Sequence, residues 1–261
     1  MSANKDYNIV VDVDETQLEF QDFAGNTTLN TNVLHGYTGT QTQPDVPSNQ
    51  EASGSLYQIG YWSKYFNVDT NKVIQRTYLS LRFSSDFLLE IDPNADGPDL
   101  WGPFWIPTTL IYCIFAASVL FLNICSVLGY TIEGKYDIGI LSTSIIVIYF
   151  YLLFMSIFVS FGMKYFGSDC SLIEAFVIYG YSTAAWIPVT IFCMIPITFV
   201  RWAAVLAGFG ISGLFIFKNF TQISERSNSG ASKLILFVAI FIHFILAITM
   251  KILFFNYTYS R

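Results

Sequence analysis

An all-α membrane protein with five transmembrane helices is the fold class that this sequence predicts, and three observations predict it. Of the 261 residues, 53% are hydrophobic and 18% aromatic, while 12% are charged, about half the charged share of an average soluble chain. The charges are also segregated. Residues 1–103 hold five Lys and Arg against fourteen Asp and Glu, whereas residues 104–261 hold eight against five. Beyond residue 103 come five apolar stretches, each long enough to supply the about 20 helical residues that cross a hydrocarbon core. The acidic first part argues against nucleic acid as a partner, because phosphate binding needs clustered Lys and Arg.

Residues 1–55 are rich in Asn, Thr, Asp, Gln and Ser with few apolar anchors. They cannot offset an ordering cost of about 1–2 kcal/mol per residue, which predicts a disordered acidic cytosolic tail. Residues 56–103 form the next segment. Tyr57 to Phe66 places six aromatic or aliphatic residues in ten. An apolar patch with no partner domain marks binding, and Tyr61, Trp62, Tyr65 and Phe66 are the candidate contacts. Asp69 or Thr70 then caps a helix whose Ile74, Tyr78 and Leu81 fall at i, i+4 and i+7, with Lys72 and Arg76 opposite. That is the pattern of a helix lying on a membrane surface. Packing of Tyr57 to Phe87 against the cytosolic ends of the spans fits the same residues.

The spans fall at about 104–128, 138–162, 172–196, 197–217 and 234–255, with a short tail at 256–261. Short polar loops join the first three, a tight reversal at Pro196 joins the third to the fourth, and Lys218 to Lys233 is the longest link. From Met1 onward there is no charged and then apolar signal-peptide pattern, which predicts a cytosolic N-terminus and a lumenal C-terminus. The short loops divide their basic residues evenly, so the positive-inside rule adds little. The sequons at Asn26, Asn219 and Asn256 are expected to stay unmodified in that orientation.

Small residues recur every four positions at Gly180, Ala184 and Pro188, and again at Ala204, Gly208 and Ser212. Small faces allow close helix approach in lipid, so the third and fourth spans are expected to pack on them, within one chain or between two. Glu174 and Arg201 are expected at opposite interfaces, and Lys251 is expected to snorkel to headgroups. His243 falls near the midplane, about 15 Å in from Lys233 at 1.5 Å per residue. Cys113, Cys125 and Cys193 sit in apolar runs and Cys170 in a polar loop, which predicts neither a disulfide framework nor a metal site.

Gly210-Ile211-Ser212-Gly213 together with His243 imitates an intramembrane serine protease. Ending the fourth span at 217 puts Ser212 about 9 Å deep, about 6 Å from the level of His243, too far for proton transfer. No catalytic set is expected, and no cofactor. A transporter or channel lined by Pro188, Pro196 and His243 is the competing reading, and the lack of a carboxylate near any span centre counts against it.

Two motifs carry a resemblance. Asp99-Leu100-Trp101-Gly102-Pro103-Phe104-Trp105 leads into the first span, and Tyr179-Gly180-Tyr181-Ser182 lies in the third, followed by Ile187-Pro188 and Ile195-Pro196. Tyr65-Phe66-Asn67-Val68-Asp69-Thr70, Arg201-Trp202 and Gly210-Ile211-Ser212-Gly213 extend the match over roughly residues 60–260. The chain resembles the Ypt-interacting-protein family (YIP or YIPF), five-span proteins of Golgi and endoplasmic reticulum membranes that associate with Rab-type GTPases. That family more often shows Tyr where this chain has Trp101. The resemblance implies a non-enzymatic Golgi scaffold in vesicle-mediated transport. Its partners would be prenylated Rab-type small GTPases, other family members or a second copy, and the lipid bilayer. Asp99, Leu100, Trp101, Gly102 and Pro103 have two readings. They could contact the partner, or they could form a membrane anchor in which Pro98 and Pro103 delay the helix and Trp101, Phe104 and Trp105 sit at headgroup level.

Overall fold

The computed structural model of the chain describes residues 59–82, 84, 86–92, 97–129, 138–226 and 232–255. The expectations for residues 1–55 and 256–261, for Asn26 and Asn256, and for the side chain of Tyr61 lie outside the described residues. All regular structure among the described residues is helical. Three short helices come first: α1 (Ile59–Phe66), α2 (Thr70–Leu81) and α3 (Phe87–Glu90). They are followed by α4 (Trp101–Val127), α5 (Gly139–Tyr165), α6 (Leu172–Ser182), α7 (Trp186–Phe192), α8 (Thr198–Arg226) and α9 (Ser232–Leu253). A 3-10 turn, Thr183–Ala185, joins α6 to α7 into one span, so five helical segments are long and apolar enough to cross a membrane. The protein is an all-α multi-pass membrane protein.

Local chemistry sets the helix ends. The α5–α6 hairpin closes with a Schellman motif: Gly167 takes φ 81°, its N–H donates to the Lys164 carbonyl at 3.0 Å, and the Ser168 N–H reaches the Met163 carbonyl at 2.9 Å. Ser171 and Glu174 then form a capping box at the start of α6, with reciprocal bonds of 3.1 and 2.9 Å. This gives Glu174 a defined local role at its own helix end. In the third span Pro188 has no amide to offer the Ala184 carbonyl and crowds it, and the chain tightens into the 3-10 turn just before.

Three expectations need correcting. The first span begins at Trp101 rather than 104, taking Gly102 and Pro103 into its first turn, where an absent proline amide costs nothing. The fourth span continues to Arg226 instead of ending at 217, because Lys218, Glu225 and Arg226 extend the hydrogen-bond ladder beyond the apolar run. Arg201 and Lys251 are buried rather than presented to headgroups. Arg201 Nε donates to the Ile195 carbonyl at 3.1 Å with its guanidinium 4.8 Å from the Phe121 ring centre. Lys251 Nζ donates to the Phe255 carbonyl at 3.2 Å and lies over Trp202. Carbonyls and ring faces at the turning chain ends stand in for headgroups.

The bundle is built by α8 against α9, α5 against α6, and α4 against both α5 and α6. The segment before the spans belongs to it. α2 packs against α6, the 3-10 turn and α8, and Phe87 and Leu88 of α3 are buried in the same core as Tyr181 and Phe215. The space for them exists because α4 starts beside Gly180, about 12 Å along the third span from Leu172 at 1.5 Å per residue. α2 and α3 fill the notch that the low start of α4 leaves.

Candidate functional site at the mouth of the first span

The two sequence motifs meet in space. Asp99 is buried, and its carboxylate accepts the Tyr181 hydroxyl at 3.1 Å from each oxygen and the Gly102 N–H at 2.9 Å. It also forms a buried ion pair with Arg76, which comes from α2. Arg76 Nη2 donates to the carbonyls of Glu90 and, at 2.9 Å, Gly97. The expectation that Arg76 faces outward is therefore corrected. It lies opposite Ile74 and Tyr78 as predicted, but the opposite side of the helix is the protein interior. The signal that could have found it is the pairing of one Arg with one Asp just before a span, since neither charge has water to turn to.

Glycines make the close approach possible. A Cβ on Gly180 would lie 2.6 Å from the Pro103 Cα, and one on Gly102 would lie 2.2 Å from the Tyr181 Cζ. Each motif thus supplies a glycine where the other brings bulk. Phe87 closes the site edge-on, 5.3 Å from Tyr181 and 4.9 Å from Phe215 between ring centres. Asp99, Gly102 and Pro103 are interior, so they cannot offer a surface to a partner protein. Leu100 is half-buried and its N–H donates to the Tyr65 carbonyl at 2.9 Å, tying the end of α1 to the mouth of the span. Trp62, Phe66 and Trp101 are 40 to 44% exposed and Tyr65 is half-buried. Trp101, Phe104 and Trp105 form an outward aromatic cluster with centroid distances of 5.8 and 5.2 Å.

The small faces divide between two partners. Gly208 packs on α7, where an added Cβ would come 2.6 Å from Val189 and 3.7 Å from Trp186. Gly180 instead packs on Pro103 of the first span, Ala184 is buried in the 3-10 turn, Ala204 is half-buried and Pro188 is exposed. The 3-10 turn rotates the stripe, so Pro188 no longer shares a face with Gly180.

Ser212 leads to a second buried polar group. The expected depth mismatch with His243 is absent: Ser212 Oγ and His243 Nε2 are 2.7 Å apart, and His243 Nδ1 is hydrogen-bonded to the Tyr151 hydroxyl. Residue 217, from which that depth is counted, is not a helix end, since α8 runs on to Arg226; counting from either residue does not fix the level of Ser212 against a neighbouring helix. Proximity alone does not make a nucleophile. Ser212 Oγ also lies 2.7 Å from the Gly208 carbonyl. The arrangement that satisfies every donor runs from the Tyr151 hydroxyl to Nδ1, from Nε2–H to Ser212, and from Ser212 to that carbonyl. In it the imidazole lone pair faces Tyr151 and cannot take a proton from Ser212. Phe209 stacks on the imidazole at 5.6 Å and Trp186 meets it edge-on at 6.4 Å, sealing the group. Cys170, in the polar loop between α5 and α6, is buried, and burial pushes its thiol up to about 12. Among the described residues no three His, Cys, Asp or Glu side chains gather into a metal site.

The Yip1 domain family model matches residues 79–250, which hold both motifs. Protein YIP5 of Schizosaccharomyces pombe is 28% identical over 251 residues, covering 93% of this chain and 99% of that protein. The protein YIPF1 homolog of Dictyostelium discoideum is 29% identical over 232 residues, 83% of this chain and 64% of its own length. Protein YIP5 of Saccharomyces cerevisiae is 25% identical over 224 residues, 76% of this chain and 70% of that one. No solved structure matches. With a family model spanning most of the bundle and both motifs inside it, the chain belongs to the YIP (YIPF) family of Yip1-domain membrane proteins.

Proposed function

We propose that this protein is a non-enzymatic scaffold in vesicle-mediated transport of the Golgi and early secretory pathway. In this reading its N-terminal side faces the cytosol, and it gathers prenylated Rab-type small GTPases there while its spans associate with other YIP-family proteins or a second copy. The observation that carries the reading is the exposed aromatic surface of Trp62, Phe66 and Trp101, fixed to the bundle by the Leu100 to Tyr65 bond and the Arg76–Asp99 pair beneath it. Rigid aromatic side chains held in one geometry lose little entropy on binding. A GTPase anchored by lipid chains is already concentrated at the same bilayer, so a modest contact suffices.

The test is recovery of a panel of Rab proteins, prenylated and unprenylated and in both nucleotide states, by the full chain in mild detergent. Capture of a prenylated subset is expected, with loss on joint alanine replacement of Tyr61, Trp62, Tyr65 and Phe66. Capture of none by an intact, correctly located protein overturns the reading and brings the transporter alternative forward.

A further inference from the structure

The outward side of α2 presents an arrangement that the GTPase reading does not use. At about 100° per residue, the exposed Ile74, Tyr78 and Leu81 fall within about 60° of one another. The exposed polar residues Asn71, Gln75 and Arg82 occupy the next about 40°. Arg76 and Ser80 lie on the remaining, buried side. The helix therefore has three sectors rather than two: one against protein, one apolar and open, one polar and open. A helix lying on a bundle in water needs only the first and third.

Three features of the surroundings say what covers the apolar sector. Ile74 is 62% and Tyr78 55% exposed, and the outward Leu89 of α3 is 64% exposed. Their neighbour along the chain is α4, a membrane-crossing helix whose first turns present Trp101, Phe104 and Trp105 outward. α2 also packs against α4, so its open apolar sector stands beside a helix that is long and apolar enough to cross the membrane. Depth agrees, since α2 packs against the 3-10 turn of the third span, well inside the end of that span at Leu172. Arg82 lies over the Tyr78 ring, 5.4 Å from its centre, and so sits on the polar edge of the apolar sector, where headgroup phosphates would be.

We propose that α2 is a lipid-inserted interfacial helix. It is clamped to the bundle through Arg76, and its Ile74, Tyr78 and Leu81 edge is buried among the acyl chains of one leaflet while Asn71, Gln75 and Arg82 face the aqueous side. The segment before the first span is then part of the membrane-embedded body of the protein, which also fixes how high above the bilayer α1 can stand. The proposal is independent of whether a GTPase binds.

The experiment places an environment-sensitive fluorophore on single added cysteines in the full chain, Ile74→Cys, Tyr78→Cys and Asn71→Cys, with the signal of the unmodified chain subtracted. The chain is reconstituted into phosphatidylcholine vesicles containing spin-labelled phosphatidylcholine. Labels at 74 and 78 should lose most of their emission to the spin-labelled lipid and resist aqueous iodide, and the label at 71 should do the reverse. Iodide quenching at all three positions with no response to spin-labelled lipid overturns the proposal. Hydroxyl-radical footprinting of the unaltered chain in the same vesicles guards against a labelled variant that fails to fold. Tyr78 should be protected there, and its oxidation would count against insertion.

Discussion

Two of the buried polar groups of this bundle solve the same problem with different materials. At the mouth of the first span the group is charged: Arg76, Asp99 and Tyr181, drawn from α2, the approach to α4 and α6. In mid-bundle it is neutral: Tyr151, His243 and Ser212, drawn from the second, fifth and fourth spans. The neutral group joins helices that lipid already forces to stand side by side, so it adjusts packing that exists without it. The charged group holds a short helix that is not itself a span and could otherwise leave the bundle. The stronger and more exacting interaction is found where chain connectivity and the bilayer supply the least constraint.

The largest expected effect tests that difference. Asp99→Asn keeps the shape of the side chain but leaves the buried Arg76 guanidinium without its counter-charge, a change that costs about 3–5 kcal/mol when one partner of a buried pair is removed. The thermal unfolding midpoint of the detergent-purified protein should fall steeply, and the double variant Arg76→Leu with Asp99→Leu should recover much of the loss. A fall no greater than that of Ser212→Ala would break the comparison.

Next comes the steric half of the same site. Gly180→Ala drives a methyl group into the backbone of Pro103, which has no rotamer with which to yield, and overpacking of this kind costs about 1–3 kcal/mol. The measurement is again the unfolding midpoint, together with the fraction of protein that remains monodisperse. An unchanged midpoint would mean that α4 can slide on α6 and that the motif contact is loose. The neutral group should be less sensitive. Ser212→Ala removes one interhelical hydrogen bond, for which membrane proteins give about 0.6 kcal/mol on average and about 1.7 at most. A loss well above that range would mean that the Tyr151, His243 and Ser212 chain acts as one unit.

Much of this architecture can be read directly from the residues. Span number, the importance of the two motifs and the place of the aromatic anchors follow from hydropathy and from Trp, Gly and Pro at fixed positions. What the residues concealed has a common cause, namely that water and lipid sort side chains by different rules. Arg76 on an otherwise amphipathic helix reads as facing solvent, yet in a notch beside a span it turns inward to the buried Asp99 carboxylate. Ser212 reads as shallow because the apolar run ends near residue 217, whereas α8 runs on to Arg226 and Ser212 meets His243 directly. Pro188 reads as part of a small face until the 3-10 turn it provokes rotates it outward. Hydropathy locates the slab, but it does not locate rotation or depth within it.

The smallest expected effect separates two tyrosines of one motif. Tyr181 donates to the Asp99 carboxylate, whereas Tyr179, whose ring packs on Tyr151 and Phe220, has a buried hydroxyl with no hydrogen-bond partner among the described residues. A buried hydroxyl without a partner contributes no bond and still had to leave water, so Tyr179→Phe should be close to neutral and could raise the unfolding midpoint slightly. Tyr181→Phe deletes a donor from a buried carboxylate, and bonds to charged groups are worth about 1.5–3 kcal/mol. The two substitutions remove the same atom two positions apart on one helix, so unequal midpoints would isolate the carboxylate as the reason. Equal and substantial losses would instead show that the Tyr179 hydroxyl has its own partner, and the neutral core around Tyr151 would then extend one residue further than its ring contacts suggest.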